Sequence, residues 1–193
     1  MPGKVIIVMG VASCGKSTVG ETIAKRVGPD AVFLDADDFH PEANKEKMAA
    51  GIPLDDEDRK PWLGAIRKHV DELEAQNPER HVIIACSALK RSYRDTLRHP
   101  AYHDESRKED DGSVRVWFLY LKGTEEVLQQ RISQREGHFM KSNMLKSQLA
   151  TLEEPDPAVE PNVVSVDIDQ SRDAIIAEAL QKLGFQMIMG VMA

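Results

Sequence analysis

The sequence contains few cysteines and few aromatic residues, and it has no long apolar run. Its 193 residues include only two cysteines, Cys14 and Cys86, which argues against a disulfide framework or a thiolate metal site and favours a reducing, cytoplasmic setting. No segment approaches the roughly 20 apolar residues that cross a bilayer, so we expect no membrane span. A net charge of −7 and an aromatic content of 5% argue against nucleic acid as a partner.

The remaining composition is that of an ordinary globular protein, with 41% hydrophobic and 30% charged residues. Apolar runs alternate with helical patterns, which predicts an α/β protein with a five-stranded parallel sheet flanked by helices, in a single domain over 1–193. The predicted strands are 4–9, 31–35, 81–86, 114–121 and 163–168. The predicted helices are 16–27, 41–50, 60–76, 90–98, 124–135, 143–152 and 171–183.

The string GVASCGKST at 10–18 fits the phosphate-binding loop pattern G-x-x-x-x-G-K-[ST]. It lies between the apolar strand candidate KVIIVM and a helical pattern, so the helix N-terminus and the loop amides would face phosphate groups. Lys16 would contact the β- and γ-phosphates of ATP, and the Ser17 hydroxyl would bind Mg²⁺. The predicted ATP-binding residues of the loop are Gly10, Val11, Ala12, Ser13, Cys14, Gly15, Lys16, Ser17 and Thr18.

Two carboxylates follow the second predicted strand. Asp35 and Asp37 would lie at the carboxyl edge of the sheet, in the same crevice as the phosphate-binding loop. Asp35 is predicted to support the metal and Asp37 to accept a proton from a substrate hydroxyl. The alternative is a solubilising acidic turn, or caps for the helix that starts near Pro41.

Other large classes of phosphate-loop proteins do not match the sequence. The guanine-reading string N-K-x-D is absent, since NKEK at 44–47 lacks the aspartate. The third strand candidate ends in Cys86 and Ser87, where motor and transporter ATPases usually carry a metal-binding aspartate. Water is therefore not the expected phosphate acceptor.

Three longer strings resemble the small gluconokinase family, which is similar in fold to shikimate and adenylate kinases. They are DADDFHPEANKEKMAAGIPLDDEDRKPWL (35–63), CSALKRSYRDTLR (86–98) and LKGTEEVLQQRISQREGHFMKSNMLKSQLATLEEP (121–155). The resemblance covers nearly the whole chain. Relative to the family, Ala36 stands where glycine is common, and Ala12, Ser13 and Cys14 replace a common Ser-Gly-Ser.

The resemblance implies phosphorylation of D-gluconate by ATP and Mg²⁺ to give 6-phospho-D-gluconate and ADP. It also implies a cytoplasmic homodimer, a substrate-binding segment at about 36–63 and a mobile lid at about 136–148. Gluconate is a polyhydroxy carboxylate, so its pocket needs a cation and several hydrogen-bonding groups. The candidates in the matched strings are His40, Lys47, Arg59, Lys90 and Arg91.

Two of these candidates have plausible structural roles instead. Arg59 is the first choice for the substrate carboxylate, because a guanidinium can bind it through two hydrogen bonds. An ion pair between Arg59 and a nearby aspartate (Asp55, Asp56 or Asp58) is the alternative. His40 is predicted to contact a substrate hydroxyl, and its alternative is a cap for the following helix.

Arg131 and Arg135 are four residues apart, so both lie on one face of a predicted helix just before the lid. Both are predicted to bind ATP, with Arg131 also stabilising charge on the transferring phosphoryl group. The alternative is a solvated helix face.

Two rival functions remain. One is another small-metabolite kinase of the same fold, and the other is a nucleotide-binding regulator without catalysis. The retention of Lys16, Ser17, Asp35, Asp37 and Arg131 argues against the regulator.

Overall fold

Five parallel strands form one sheet in the order β2-β3-β1-β4-β5. The computed structural model describes residues 2–98, 115–134 and 138–185, and for 138–143 it describes the backbone alone. The strands are β1 (Val5–Met9), β2 (Val32–Asp35), β3 (Val82–Ala85), β4 (Val116–Lys122) and β5 (Val163–Asp167). The predicted α/β fold with a five-stranded parallel sheet is confirmed.

The described ranges contain seven α-helices, and six of them contribute side chains to the cores on the two faces of this sheet. The seven helices are α1 (Lys16–Val27), α2 (Glu42–Ala49), α3 (Asp56–Gln76), α4 (Arg91–Leu97), α5 (Glu125–Ser133), α6 (His138–Thr151) and α7 (Arg172–Lys182). Side chains of β1 alternate between the faces: Ile6 and Val8 pack with α1 and α7, whereas Val5, Ile7 and Met9 pack with α3 and α4. The central strand is therefore buried on both sides, as expected for a parallel sheet.

Helix α3 begins at Asp56, four residues before the predicted start. Asp55 accepts a hydrogen bond from the backbone N–H of Asp58, and the Asp58 side chain accepts one from the backbone N–H of Asp55. This reciprocal cap satisfies two N–H groups at the helix start, so the helix extends upstream of Pro61. The cap places the first turn of α3 at the carboxyl edge of the sheet.

A buried ion cluster fixes the chain that follows β3. Arg94 donates two hydrogen bonds to Glu160, at 2.7 and 2.6 Å, and two more to the carbonyls of Ala88 and Leu89. Arg98 donates to Glu160 at 3.1 Å. Burial alone would raise the pKa of Glu160, but the two guanidinium groups outweigh it and lower that pKa. The cluster holds the segment between β3 and α4 against the loop before β5.

Across the described ranges, no helix is both long and apolar enough to traverse a bilayer.

Candidate active site

The phosphate-binding loop connects β1 to α1, and two glycines make its path possible. Gly10 has φ 140° and Gly15 has φ 102°, backbone conformations that favour glycine. A Cβ on Gly10 would lie 2.8 Å from the Cys14 sulfur. The loop therefore requires glycine at Gly10 both for its φ angle and for space.

Ser13 and Cys14 are two of the three loop residues that depart from the pattern of the family that the sequence resembles. Ser13 has φ 65°, in the left-handed region that glycine adopts most readily. Cys14 is fully buried, and this burial raises the pKa of its thiol. A buried, protonated thiol is a poor nucleophile, so Cys14 contributes packing to the loop.

Lys16 and Ser17 lie at the start of α1 and connect the loop to β2. The Lys16 ammonium donates to the carbonyl of Val11 at 3.0 Å, and the Ser17 hydroxyl donates to Asp35 Oδ2 at 2.9 Å. The other oxygen of Asp35 accepts the backbone N–H of Asp37 at 3.1 Å, which caps a single 3₁₀ turn over Ala36–Phe39. Both oxygens of Asp35 are thus engaged.

Asp37 lies beside this cluster with its carboxylate turned to solvent. Its side chain is 86% exposed, and its nearest ionic partner is His40 Nε2 at 3.9 Å, beyond hydrogen-bond distance. Two effects raise the pKa of Asp37. The larger is desolvation by the protein atoms around the residue, and the second is the neighbouring charge of Asp35. The two aspartates therefore differ. Hydrogen bonds hold both oxygens of Asp35, whereas the carboxylate of Asp37 is available to a ligand.

His40 is held by its neighbours in a buried position. Its ring stacks on the Trp62 indole with centroids 4.4 Å apart, and Trp62 Nε1 donates to the carbonyl of Ala36 at 2.6 Å. The Asn44 amide lies 3.3 Å from His40 Nδ1. If Asn44 donates, Nδ1 is the acceptor and Nε2 carries the proton on the side of Asp37. Burial lowers the pKa of His40, which favours this neutral form.

Arg59 and Lys90 share one contact partner, the ring of Tyr93. Their cationic groups lie 5.6 and 5.7 Å from the centre of the Tyr93 ring. Lys90 also donates to both oxygens of Asp56 at 2.8 Å, and the Tyr93 hydroxyl donates to the same carboxylate. Arg59 instead donates to the backbone carbonyls of Leu54 and Asp55.

Arg59 therefore differs from Lys47 and Lys90, whose cationic groups hydrogen-bond to carboxylates. In the part of the chain that the structure describes, no aspartate forms the ion pair with Arg59 that was its structural alternative. Lys47, by contrast, donates to both oxygens of Asp58, at 2.6 and 2.8 Å, and so fastens α2 to α3. Arg91 is more than half exposed, and its guanidinium lies 3.9 Å from the carboxylate of Asp95.

Arg131 lies on the other side of the loop, near β5. It donates to the carbonyl of Cys14 at 3.1 Å and to the carbonyl of Ile168 at 2.6 Å. These contacts place it at a cavity of about 400 Å³ beside the loop. Its walls are Ser13, Cys14, Gly15, Thr18, Val19, Arg131, Gln134, Arg172 and Ile175.

The loop thus divides the carboxyl edge of the sheet into two regions. The region beyond β3 and β2 holds Asp37, His40 and Arg59, which we name the acceptor side. The region toward β4 and β5 holds Arg131 and the 400 Å³ cavity, which we name the nucleotide side. A phosphate bound in the loop would lie between the two.

Some predicted features lie outside the described residues. They are Arg135, residues 136–137 of the predicted lid and the side chains of 138–143. Other residues belong to the site although the sequence analysis did not select them. Tyr93 and Arg172 are examples, and Arg172 could have been found only from its position just after the last strand.

The fold and the site define a P-loop kinase. A family model described as AAA domain matches residues 5–155. A probable gluconokinase of Xenopus tropicalis is 39% identical over 188 residues, which cover 96% of each chain. The thermoresistant gluconokinase of Escherichia coli K12 is 41% identical over 177 residues, covering 92% of this chain and 91% of that protein.

A solved structure gives the same result. The crystal structure of a gluconokinase from Sinorhizobium meliloti 1021 has a TM-score of 0.74 and 43% identity, over 94% of this chain and 91% of that one. The chain belongs to the gluconokinase family.

Proposed function

We propose that the protein transfers the γ-phosphoryl group of ATP to the 6-hydroxyl of D-gluconate, giving ADP and 6-phospho-D-gluconate. The observation that carries this proposal is the placement of an available carboxylate, Asp37, next to the phosphate-binding loop in a member of the gluconokinase family. The relatives named above act on gluconate, as their names state. The acceptor side offers the groups that such a substrate needs.

Residues of the loop would hold the phosphates of ATP. The inward-facing amides and Lys16 neutralise the β- and γ-phosphates, and Lys16 reaches them by leaving the Val11 carbonyl. Mg²⁺ fits Ser17, since this hydroxyl and the Asp35 carboxylate it contacts are both oxygen donors. When bound, Mg²⁺ would neutralise charge on the phosphates, with Ser17 as direct ligand and Asp35 acting through water.

Asp37 is the general base of the proposed reaction. Its carboxylate takes the proton of the substrate 6-hydroxyl as that oxygen attacks the γ-phosphorus. The raised pKa of Asp37 makes it a better proton acceptor than an ordinary aspartate. Asp35 is less suited to this step because Ser17 and the Asp37 backbone already engage its two oxygens.

The remaining acceptor-side groups would bind the rest of gluconate. Arg59 takes the substrate carboxylate, and Lys90, whose charge is shared with Asp56, lies beside the same Tyr93 ring. His40 donates from Nε2 to a substrate hydroxyl. Lys47 and Arg91 also stay candidates, and Lys47 would have to share its charge with Asp58.

Arg131 would contact ATP from the nucleotide side. In the described conformation its guanidinium is committed to two backbone carbonyls at the wall of the cavity. A contact with the γ-phosphate requires it to leave both, whereas a contact with the base or ribose does not. We therefore place Arg131 at the nucleoside first and at the transferring phosphoryl group second.

The family resemblance also supports a homodimer in the cytoplasm. Size-exclusion chromatography with light scattering tests the first of these. A mass of twice 21.6 kDa is expected, and a mass of 21.6 kDa would exclude the dimer.

An acceptor panel tests the proposed function. ADP release from Mg-ATP is measured alone and with D-gluconate, D-glucose, shikimate or AMP at equal concentration. Stimulation by gluconate is expected. Glucose is the matched control, because it has the same 6-hydroxyl and no carboxylate.

Each other result of the panel has a distinct meaning. Stimulation by shikimate or AMP alone would keep the kinase and overturn the substrate. Binding of ATP without stimulation by any acceptor would favour a nucleotide-binding regulator.

A further inference from the structure

Helix α6 returns to the phosphate-binding loop through one side chain. The Gln148 Oε1 accepts the backbone N–H of Ala12 at 2.6 Å, across 136 residues of sequence. Gln148 is half-buried and neutral. Nothing in the proposed reaction so far uses this residue.

The peptide that Gln148 contacts is the one that also holds Lys16. The N–H of Ala12 and the carbonyl of Val11 belong to the same peptide group, and the carbonyl accepts the Lys16 ammonium at 3.0 Å. In a trans peptide these two groups point in opposite directions. Gln148 and Lys16 therefore hold the two ends of one peptide, and together they fix its rotation.

Helix α6 does not need Gln148 to stay in place. Leu145 is fully buried, and Leu149 and Leu152 pack on the same core. The backbone N–H of Glu153, just after the helix, donates to the carbonyl of Leu89 at 2.9 Å. The hydrogen bond from Ala12 is thus an addition to a helix that apolar contacts already anchor.

We propose that Gln148 is a positioning residue for phosphoryl transfer, which orients the Val11–Ala12 peptide and through it the Lys16 ammonium. This proposal rests on the proposed kinase function. With Gln148 in place, the carbonyl of Val11 faces Lys16 and keeps the ammonium at the loop until phosphates replace the carbonyl. Without it, the Ala12 N–H loses its acceptor and the peptide can rotate, so Lys16 loses its fixed starting position.

Two substitutions separate positioning from simple support of the helix. Gln148→Ala removes the acceptor, whereas Gln148→Glu keeps an oxygen acceptor and adds a negative charge near the phosphate site. Ser147→Ala, on an exposed neighbour in the same helix, is the matched control. For each variant we would measure kcat, the Kd of Mg-ATP by titration calorimetry, and the melting temperature.

The proposal predicts that the two Gln148 variants differ in kcat and in Mg-ATP binding. Gln148→Ala should lower kcat about tenfold, the worth of one well-formed hydrogen bond, with the melting temperature and gluconate KM nearly unchanged. Gln148→Glu should recover most of kcat but weaken Mg-ATP binding about tenfold, because its charge repels the phosphates. Ser147→Ala should match the wild type in all three measurements.

Other outcomes would overturn the proposal. If Gln148→Ala keeps kcat within threefold of wild type, the contact has no role in transfer. If its activity falls only together with its melting temperature, and Gln148→Glu restores both with normal Mg-ATP binding, Gln148 merely supports the fold. The calorimetric measurement needs no acceptor, and transfer can use any acceptor that the panel identifies. A wrong assignment of gluconate would thus be distinguished from a failure of this proposal.

Discussion

Replacing Asp37 by asparagine removes a proton acceptor and leaves the shape of the site intact. The Asp37 carboxylate is exposed and makes no short contact in the described part of the chain, so the substitution breaks no hydrogen bond of its side chain. It also removes the repulsion from Asp35 that contributes to the raised pKa. We therefore expect a melting temperature equal to or slightly above that of the wild type.

Of the kinetic parameters, Asp37→Asn should lower kcat alone. A positioned general base contributes about 10²–10⁴-fold to a rate, which corresponds to roughly 3–5 kcal/mol in the activation barrier. Lys16, Ser17 and the loop amides remain, so the Kd of Mg-ATP should stay within about twofold of the wild type. Asp38→Asn, an exposed neighbour on the same 3₁₀ turn, is the matched control and should retain normal turnover.

The pH dependence of kcat/KM gives an independent check. A base whose pKa is raised loses its ionised form as the pH falls through that raised value, so the acid limb of the wild type should lie above the ordinary aspartate pKa of 3.8. The Asp37→Asn variant should lack this limb. An Asp37→Asn enzyme with near-normal turnover, or with the wild-type acid limb, would remove Asp37 from the role of base.

Three further substitutions test the other parts of the site and the fold. Arg59→Ala should raise the KM for gluconate at least tenfold and leave that for ATP unchanged, since Arg59 donates only to backbone carbonyls in the described residues and its charge is available to the substrate. Equal changes in both would return Arg59 to a structural role. Asp35→Asn should raise the Mg²⁺ concentration for half-maximal activity about 10–100-fold, and an unchanged Mg²⁺ requirement would exclude it from the metal site. Glu160→Ala leaves the fully buried Arg94 without its carboxylate, which should cost about 3–5 kcal/mol and lower the melting temperature by roughly 6–20 °C. A loss of less than about 2 °C by calorimetry would mean that the cluster does not stabilise the fold.

The fold followed from local patterns because most of its elements carry their own signals. Helix α1 begins at Lys16 and ends at Val27, the bounds that the loop and Gly28 predicted. Strand β1 was recognisable as a continuous β-branched run, which only a strand buried on both faces carries. Helix α3 was predicted to begin at residue 60, because the reciprocal cap formed by Asp55 and Asp58 was not recognised in the sequence.

Only those site residues were predictable from the sequence whose position next to a strand or in the loop pattern places them at the phosphate-binding loop. Asp35 ends strand β2 and Asp37 lies two residues later, so the sheet topology brings both to the loop. The sequence did not show which cations pair with which carboxylates. Lys90 pairs with Asp56, 34 residues away, whereas Arg59 forms no ion pair with a carboxylate in the described residues. Contacts between distant segments depend on how helices pack, and no local pattern encodes them.

The same limit applies to Gln148 and Glu160. Gln148 lies 136 residues from the loop amide whose hydrogen bond it accepts, and Glu160 lies 66 residues from Arg94. Both belong to segments that look like ordinary polar surface in the sequence. Only the packing of α6 and of the loop before β5 in the folded chain brings them to their partners.

The most direct test of the central claim is the proton-coupled ³¹P spectrum of the product formed from Mg-ATP and D-gluconate. Transfer to the 6-hydroxyl places phosphorus next to a CH₂ group, so the account predicts a phosphomonoester triplet that grows as ADP forms. A doublet would mean that a secondary hydroxyl is phosphorylated. Inorganic phosphate as the sole new signal besides those of ADP would mean that water is the acceptor, and either result would contradict the proposed function.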